Sequence, residues 1–293
     1  EGRENIARLA NYANAGHVDL VLLAGDLFDS GEIYRQTAET LAKALGTVEG
    51  RVFIAPGNHD YWDEKGPYAQ VNWPENVHIF KSGALEAVEL PELNCVVHGA
   101  AFTAPECTDN LFGGFRAEED GRIHIMVLHG DLDGNAHRYN SFSKAEVAES
   151  GLDYLALGHV HAFSGINRLW RTTWAYPGCP EGRGFDECGR RGILVGTVDK
   201  GEADVHFVSF ARRKYEIRTV TGREALEALE TQLPPGGTAA DLYRVVFTGE
   251  TAAGVDLEAV RAVAAERFYH LELRDETRLT RDLWQRAGEE SLT

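Results

Sequence analysis

Along roughly the first two thirds of the chain, short apolar runs alternate with stretches in which apolar residues recur every three or four positions. Ile6, Leu9, Ala10 and Ala13 share one face of a helix expected over 3–15, which leads into the apolar strand VDLVLLA over 18–24. A second helix is expected over 36–45, closed by Gly46, and a second strand, RVFIA, over 51–55. Further strands are expected over 77–80, 84–90, 94–98, 123–129, 154–157 and 192–198. Runs such as LVLLA and IMVL are apolar at every position, the pattern of strands covered on both faces. The strand–helix alternation predicts an α/β layered fold, and the hairpin texture of the middle portion predicts mixed sheets.

From about residue 212 the texture changes. LPPGG at 233–237 is a break, flanked by a helix near 224–233, a strand over 242–250, a helix over 256–267 and a strand over 269–275. This reads as a small α+β second domain, giving an expected division into 1–210 and 211–293.

Composition narrows the class. Hydrophobic residues are 43% and charged residues 26%, ordinary for a soluble globular chain, and no apolar run is long enough to span a bilayer. The four cysteines form no C-x-x-C pair, which predicts reduced thiols in a cytoplasmic protein, with Cys179 and Cys188 structural. The net charge of −17 argues against a broad basic surface for nucleic acid. It leaves room for a nucleic-acid enzyme, because divalent ions in a site attract phosphate and a local basic stretch, ARRK at 211–214, remains.

The chemistry lies at the strand ends, beyond which open α/β folds bind their ligands. VLLA is followed by GDLFD, with Asp26 and Asp29, and VFIA by PGNHD, with Asn58, His59 and Asp60. IMVL is followed by HGD, with His129 and Asp131, and YLAL by GHVH, with His159 and His161. A lone strand-end Asp is ordinarily a turn residue and a lone loop His is ordinarily solvated. Four such ends in series, at one edge of the sheet, are not explained by turns. The donors are nitrogen and oxygen without thiolate, a set suited to Mn²⁺, Fe or Zn²⁺ rather than to a structural zinc site. Residues two apart in an extended segment face the same way, so His159 and His161 can address one pocket.

The series GD-x-x-D, GNHD, H and GH-x-H resembles the calcineurin-like metallophosphoesterases, and within them the SbcD/YhaO-type DNA repair exonuclease subunits. The narrower resemblance rests on YNSFSKAEVAESGLDYLALGHVH at 139–161 and YPGCPEGRGFDE at 176–187. It implies a four-layer α/β/β/α sandwich of mixed sheets, with a small α+β capping domain at 211–293. It also implies two divalent ions, Mn²⁺ by preference. Asp26 would bridge them, Asn58, His129 and His159 would complete one site, and His161 would help hold the other. Water activated between the two ions would attack phosphorus in line. His59 would protonate the leaving oxygen or stabilise the transition state, oriented by Asp29. Asp60 and Asp131 read as supporting or turn residues.

The implied activity is that of a divalent-metal phosphodiesterase, a DNA exonuclease of repair acting at duplex ends or on single strands. The resemblance further implies a homodimer working with an SMC-like ATPase, without a membrane. Two other readings stand beside it. One is a phosphodiesterase acting on a small or cyclic nucleotide; the other is an inactive member that docks DNA or the ATPase. The second arises from a departure: members of the family open with a strand carrying D-x-H, and no such segment precedes Asp26. The chain begins at Glu1 inside a helical pattern and its only methionine is Met126, so natural residues before Glu1 are expected to be missing, as is part of the tail.

Overall fold

The computed structural model describes residues 2–28, 35–134, 137–221, 239–251 and 254–279. The chain divides into two compact units, one of Glu1–Gly178 and Ile193–Val208, the other of Cys179–Gly192 and Ser209–Thr293. The helix expected near 224–233 lies outside the described residues.

In the first unit, helix α1 (Gly2–Ala15) leads to β1 (Leu20–Leu23), and α2 (Arg35–Leu45) leads to β2 (Arg51–Ile54) and then β3 (Val77–Ile79). The three strands form a parallel sheet in the order β1-β2-β3, with Val21 opposite Val52 and Val52 opposite Val77. Between β1 and β2 the parallel pairing follows from the crossover through α2, which returns the chain to the same end, whereas β2 reaches β3 through the non-helical segment 55–76. A six-stranded sheet takes β4 (Glu86–Leu90), β5 (Cys95–Gly99), β6 (Ile123–His129), β9 (Tyr154–Gly158), β10 (Asn167–Leu169) and β11 (Thr172–Ala175). Its order is β10-β11-β9-β6-β5-β4, with parallel pairing inside and an antiparallel strand at each edge.

The side-chain alternation of the strands sorts these elements into layers. Val52 and Ile54 meet Ala10 and Ala13 of α1 and Ala38, Leu41 and Leu45 of α2 in one core. Phe53 and Ala55, of opposite parity, meet Val97, Ile125, Val127 and Tyr154 of the second sheet in another. Met126, Leu128, Leu155 and Leu157 point the other way, onto Val147 of α3 (Lys144–Glu149), with Phe112 and Phe142. Helices, sheet, sheet and helix are therefore stacked as the α/β/β/α sandwich that the resemblance implied. Helix α3 starts where Ser143 and Glu146 close a capping box: Ser143 Oγ accepts from the Glu146 amide, and the Ser143 amide donates to Glu146 Oε2. Two short strands, β7 (Asp131–Leu132) and β8 (Ser141–Phe142), pair beside it. Strands β12 (Gly192–Asp199) and β13 (Glu202–Ser209) form a pair whose Val198, Ala203 and Val205 pack on the core between the sheets.

In the second unit, β14 (Tyr215–Thr221), β15 (Leu242–Thr248) and β17 (His270–Asp275) form a parallel sheet. Tyr243, Val245, Phe247, Leu271 and Leu273 cover Val260 and Ala264 of α4 (Leu257–Ala264). Strands β16 (Glu250–Thr251) and β18 (Arg278–Leu279) pair beside it. Residues 179–192 belong here because Phe185 meets Tyr215 edge-on, with ring centroids 5.2 Å apart, and the Arg244 guanidinium lies 4.2 Å over the Phe185 ring. No described helix is long and apolar enough to cross a membrane. All four cysteines are free.

Candidate metal centre

Strands β1 and β2 of one sheet and β6 and β9 of the other deliver their carboxyl ends to one place. Glycines allow the approach. A Cβ at Gly158 would run into the Ala24 carbonyl oxygen, and one at Gly25 would stand 2.6 Å from the Gly57 nitrogen. At Gly57 a Cβ would meet the Asp26 carboxylate and, at 2.7 Å, the His129 ring. The backbone is also bent unusually where donors sit: Asp26 has φ +54 and His159 φ +106. Left-handed backbone costs about 1–2 kcal/mol for a residue with a Cβ, and such strain gathers where a site demands it.

His129 is the buried centre of the group. Its Nδ1 donates to the Ala24 carbonyl at 2.8 Å, which leaves Nε2 of the neutral ring with a bare lone pair. That Nε2 lies 2.9 Å from Asn58 Oδ1 and 3.4 Å from Asp26 Oδ2. His159 Nδ1 lies 3.3 Å from the same Asn58 oxygen, and its ring meets that of His129 edge-on with centroids 5.2 Å apart. Three acceptor-type atoms, His129 Nε2, Asn58 Oδ1 and Asp26 Oδ2, thus face one another, with His159 Nδ1 beside them. Burial lowers the proton affinity of both imidazoles, and the neighbouring His129 ring adds to the effect on His159. Donors at about 2.1 Å from a divalent ion are about 3.0 Å apart at right angles and about 3.4 Å apart at the tetrahedral angle. The observed separations match the edges of such a polyhedron, so these residues fit a metal.

The other residues singled out by sequence fall around this group. The His59 amide donates to Asp26 Oδ1 at 2.9 Å, so the half-buried His59 is held against the Asp26 side of the site. His161 is exposed two residues beyond His159 and lies within its electrostatic reach. Asp131 also bears on His159, raising its proton affinity against the larger effect of burial. Asp29 lies outside the described residues.

Three supporting residues carry no clear signal in the sequence. Asn140, with φ +48, is buried; its Nδ2 donates to the His129 carbonyl at 2.9 Å and its Oδ1 accepts from the Leu111 amide at 2.7 Å. The Tyr176 hydroxyl donates to the Gly130 carbonyl at 2.8 Å and accepts from the Leu132 amide at 2.9 Å. Tyr68 donates to Asp60 Oδ2 at 2.6 Å. Burial pushes the Asp60 carboxyl above its ordinary range, and burial together with the Asp60 charge pushes Tyr68 well above its own.

Residues 1–163 match the model of the calcineurin-like phosphoesterase family. Over 211 residues, 69% of the chain, it is 30% identical to an uncharacterized metallophosphoesterase, YhaO, of Bacillus subtilis (strain 168), of which it covers 51%. Over 300 aligned positions, 94% of the chain, it is 22% identical to the DNA double-strand break repair protein Mre11 of Methanopyrus kandleri, of which it covers 66%. The chain therefore spans about half to two thirds of the length of these relatives. With more than half of its length matched to the family model, the chain belongs to the calcineurin-like phosphoesterase family.

Proposed function

We propose that the chain is a divalent-metal phosphodiesterase that cleaves DNA as an exonuclease of repair. Asp26, Asn58, His129, His159 and His161 hold two ions; the nitrogen–oxygen donor set suits Mn²⁺, Fe or Zn²⁺, and the family resemblance favours Mn²⁺ among them. The observation that carries this reading is the approach of His129 Nε2 to Asn58 Oδ1 at 2.9 Å. With the Nδ1 proton given to Ala24, no hydrogen lies between the two atoms, and two facing lone pairs call for a cation.

When bound, the ions supply activation of the attacking water and neutralisation of charge on the phosphoryl oxygens. The chain's own residues do the rest. Asp26, whose Oδ2 lies 3.4 Å from His129 Nε2, would be the carboxylate shared by the two ions. His129 keeps its metal-facing nitrogen unprotonated through its bond to Ala24. His59 gives a proton to the leaving oxygen, with Asp29 as the carboxylate that orients it.

DNA is the favoured substrate because the chain resembles, over 94% of its length, a protein named for double-strand break repair. The net charge of −17 makes the ions, rather than a basic surface, the attraction for phosphate. On this reading 1–210 is the phosphoesterase domain and 211–293 a capping domain, and the protein is a cytoplasmic homodimer serving an SMC-like ATPase. The test is release of nucleotides from end-labelled duplex DNA by the full natural protein. Release should require Mn²⁺ and fall about 10²–10⁴-fold in His59→Ala. DNA affinity should fall steeply with salt. Cleavage of a small model diester with duplex DNA left intact would replace DNA by a small substrate. Binding of DNA with neither substrate cleaved would make the chain a docking subunit.

A further inference from the structure

Asp60 is 1% exposed, yet its carboxylate is fully engaged. Oδ1 accepts from the Asp26 amide at 3.0 Å and the Gly57 amide at 2.7 Å. Oδ2 accepts from the Leu27 amide at 2.7 Å and the Tyr68 hydroxyl at 2.6 Å. These partners come from two different strand exits. Asp26 and Leu27 follow β1, whereas Gly57 and Asp60 itself follow β2. The connection is reciprocal, since the Asp26 carboxylate in turn accepts from the His59 amide at 2.9 Å.

Tyr68 anchors this arrangement to the core. Its ring is buried against Phe28, edge-on at 5.6 Å, and Trp73, at 5.8 Å. Trp73 Nε1 donates to the Tyr68 carbonyl at 2.8 Å, which fixes the backbone from which the hydroxyl reaches inward.

We propose that Tyr68 and Asp60 are positioning residues, a latch that sets Asp26 and Asn58 in their metal-holding arrangement before any ion arrives. The inference rests on the metal reading of the site given above. Neither residue touches ion or substrate. Asp26 is held in left-handed backbone, and Asp60 takes the amide of that same residue and of its successor, so the strained turn is bound at both peptides. Asn58 lies between Gly57 and Asp60, both of which the latch immobilises. Remove the Tyr68 hydroxyl and Oδ2 loses its anchor to the core. The carboxylate is then free to turn, and the two exits loosen together.

Tyr68→Phe keeps the packed ring and removes only the hydroxyl, so it isolates the latch; Asp60→Asn removes its centre. The experiment compares both with wild type in two ways: amide hydrogen exchange without metal, and calorimetric titration with Mn²⁺. In Tyr68→Phe, exchange at residues 26, 27 and 57 should accelerate by an order of magnitude while β6 and β9 exchange as in wild type. The Mn²⁺ dissociation constant should rise about 10-fold, and about 100-fold in Asp60→Asn, the range for residues that orient metal ligands. Cleavage by Tyr68→Phe should recover at saturating Mn²⁺, whereas that of His59→Ala should not. An unchanged Mn²⁺ affinity overturns the latch, as does acceleration spread evenly over β6 and β9, which would make Tyr68 a stability residue alone. A wild-type protein that binds neither Mn²⁺ nor Zn²⁺ removes the metal reading and the latch with it, a failure visible without any variant.

Discussion

Gly158 and Ala24 approach so closely that a Cβ at 158 would overlap the Ala24 carbonyl oxygen, the same oxygen that accepts the proton of His129 Nδ1. One carbonyl of the first sheet thus receives both the end of β9 and the ring at the end of β6. Close contact between the two sheets at this edge is what lets His129 and His159, from one sheet, meet Asp26 and Asn58, from the other.

Filling this contact should damage the site before it damages the fold. Gly158→Ala must push the end of β9 from Ala24, and Gly57→Ala must displace the Asp26 carboxylate and the His129 ring. Overpacking of this kind costs about 1–3 kcal/mol, a loss readable in urea denaturation. Mn²⁺ affinity should fall by at least tenfold in both variants, measured by calorimetry on folded protein.

Metal itself should stabilise the chain. With free Mn²⁺ at one hundred times its dissociation constant, the gain is about 2.7 kcal/mol, seen as a higher melting temperature that chelator reverses. His129→Ala should melt at the same temperature with and without Mn²⁺. A metal-dependent shift that survives in this variant would take His129 out of the ligand set.

Asn140 should prove as important as the donors it supports. Asn140→Ala leaves the His129 carbonyl and the Leu111 amide without their buried partner, at about 1–3 kcal/mol for each unsatisfied group. Chemical denaturation should report this loss, accompanied by weaker Mn²⁺ binding because the backbone of His129 is released.

A separate pH dependence belongs to His98, away from the metal centre. His124 Nε2 donates to Asp120 Oδ1 at 3.1 Å, so its Nδ1 is turned to accept from His98 Nε2 at 3.0 Å. Burial first, then His124 and Arg122, pull His98 down to about 4. Between the ordinary histidine value of 6.5 and this value the unfolded chain binds the proton and the folded chain does not, so stability falls as pH falls through that window. At 1.36 kcal/mol per unit the loss approaches about 3 kcal/mol near pH 4. Urea midpoints from pH 7.5 to 4.5 should fall less steeply in His98→Gln than in wild type; parallel slopes would refute the account.

Much of the site was legible because its donors sit at strand ends. Apolar runs marked β1, β2, β6 and β9, and the residues after them were of ligand type. Other elements were hidden by satisfied polar groups. Thr172 is fully buried in β11, its hydroxyl donating to the Leu152 carbonyl at 2.9 Å, so a core strand carried no hydrophobic signature. Tyr68 and Asn140 were invisible for a different reason. Their partners are reached only through the path of turns, and no local periodicity encodes that path.

By itself, then, the sequence determined the period of each element, the residue types at its ends, and the glycines where backbones must nearly touch. These depend on covalent geometry and short-range burial pattern, which a few neighbouring residues settle. Only the tertiary structure decided which atoms meet: that His129 spends its Nδ1 proton on Ala24, that Asn58 turns its oxygen to two imidazoles, and that Asp60 ties two strand exits to Tyr68. Those outcomes are settled by the register and packing of two sheets, where a shift of one residue would turn every donor to the opposite face.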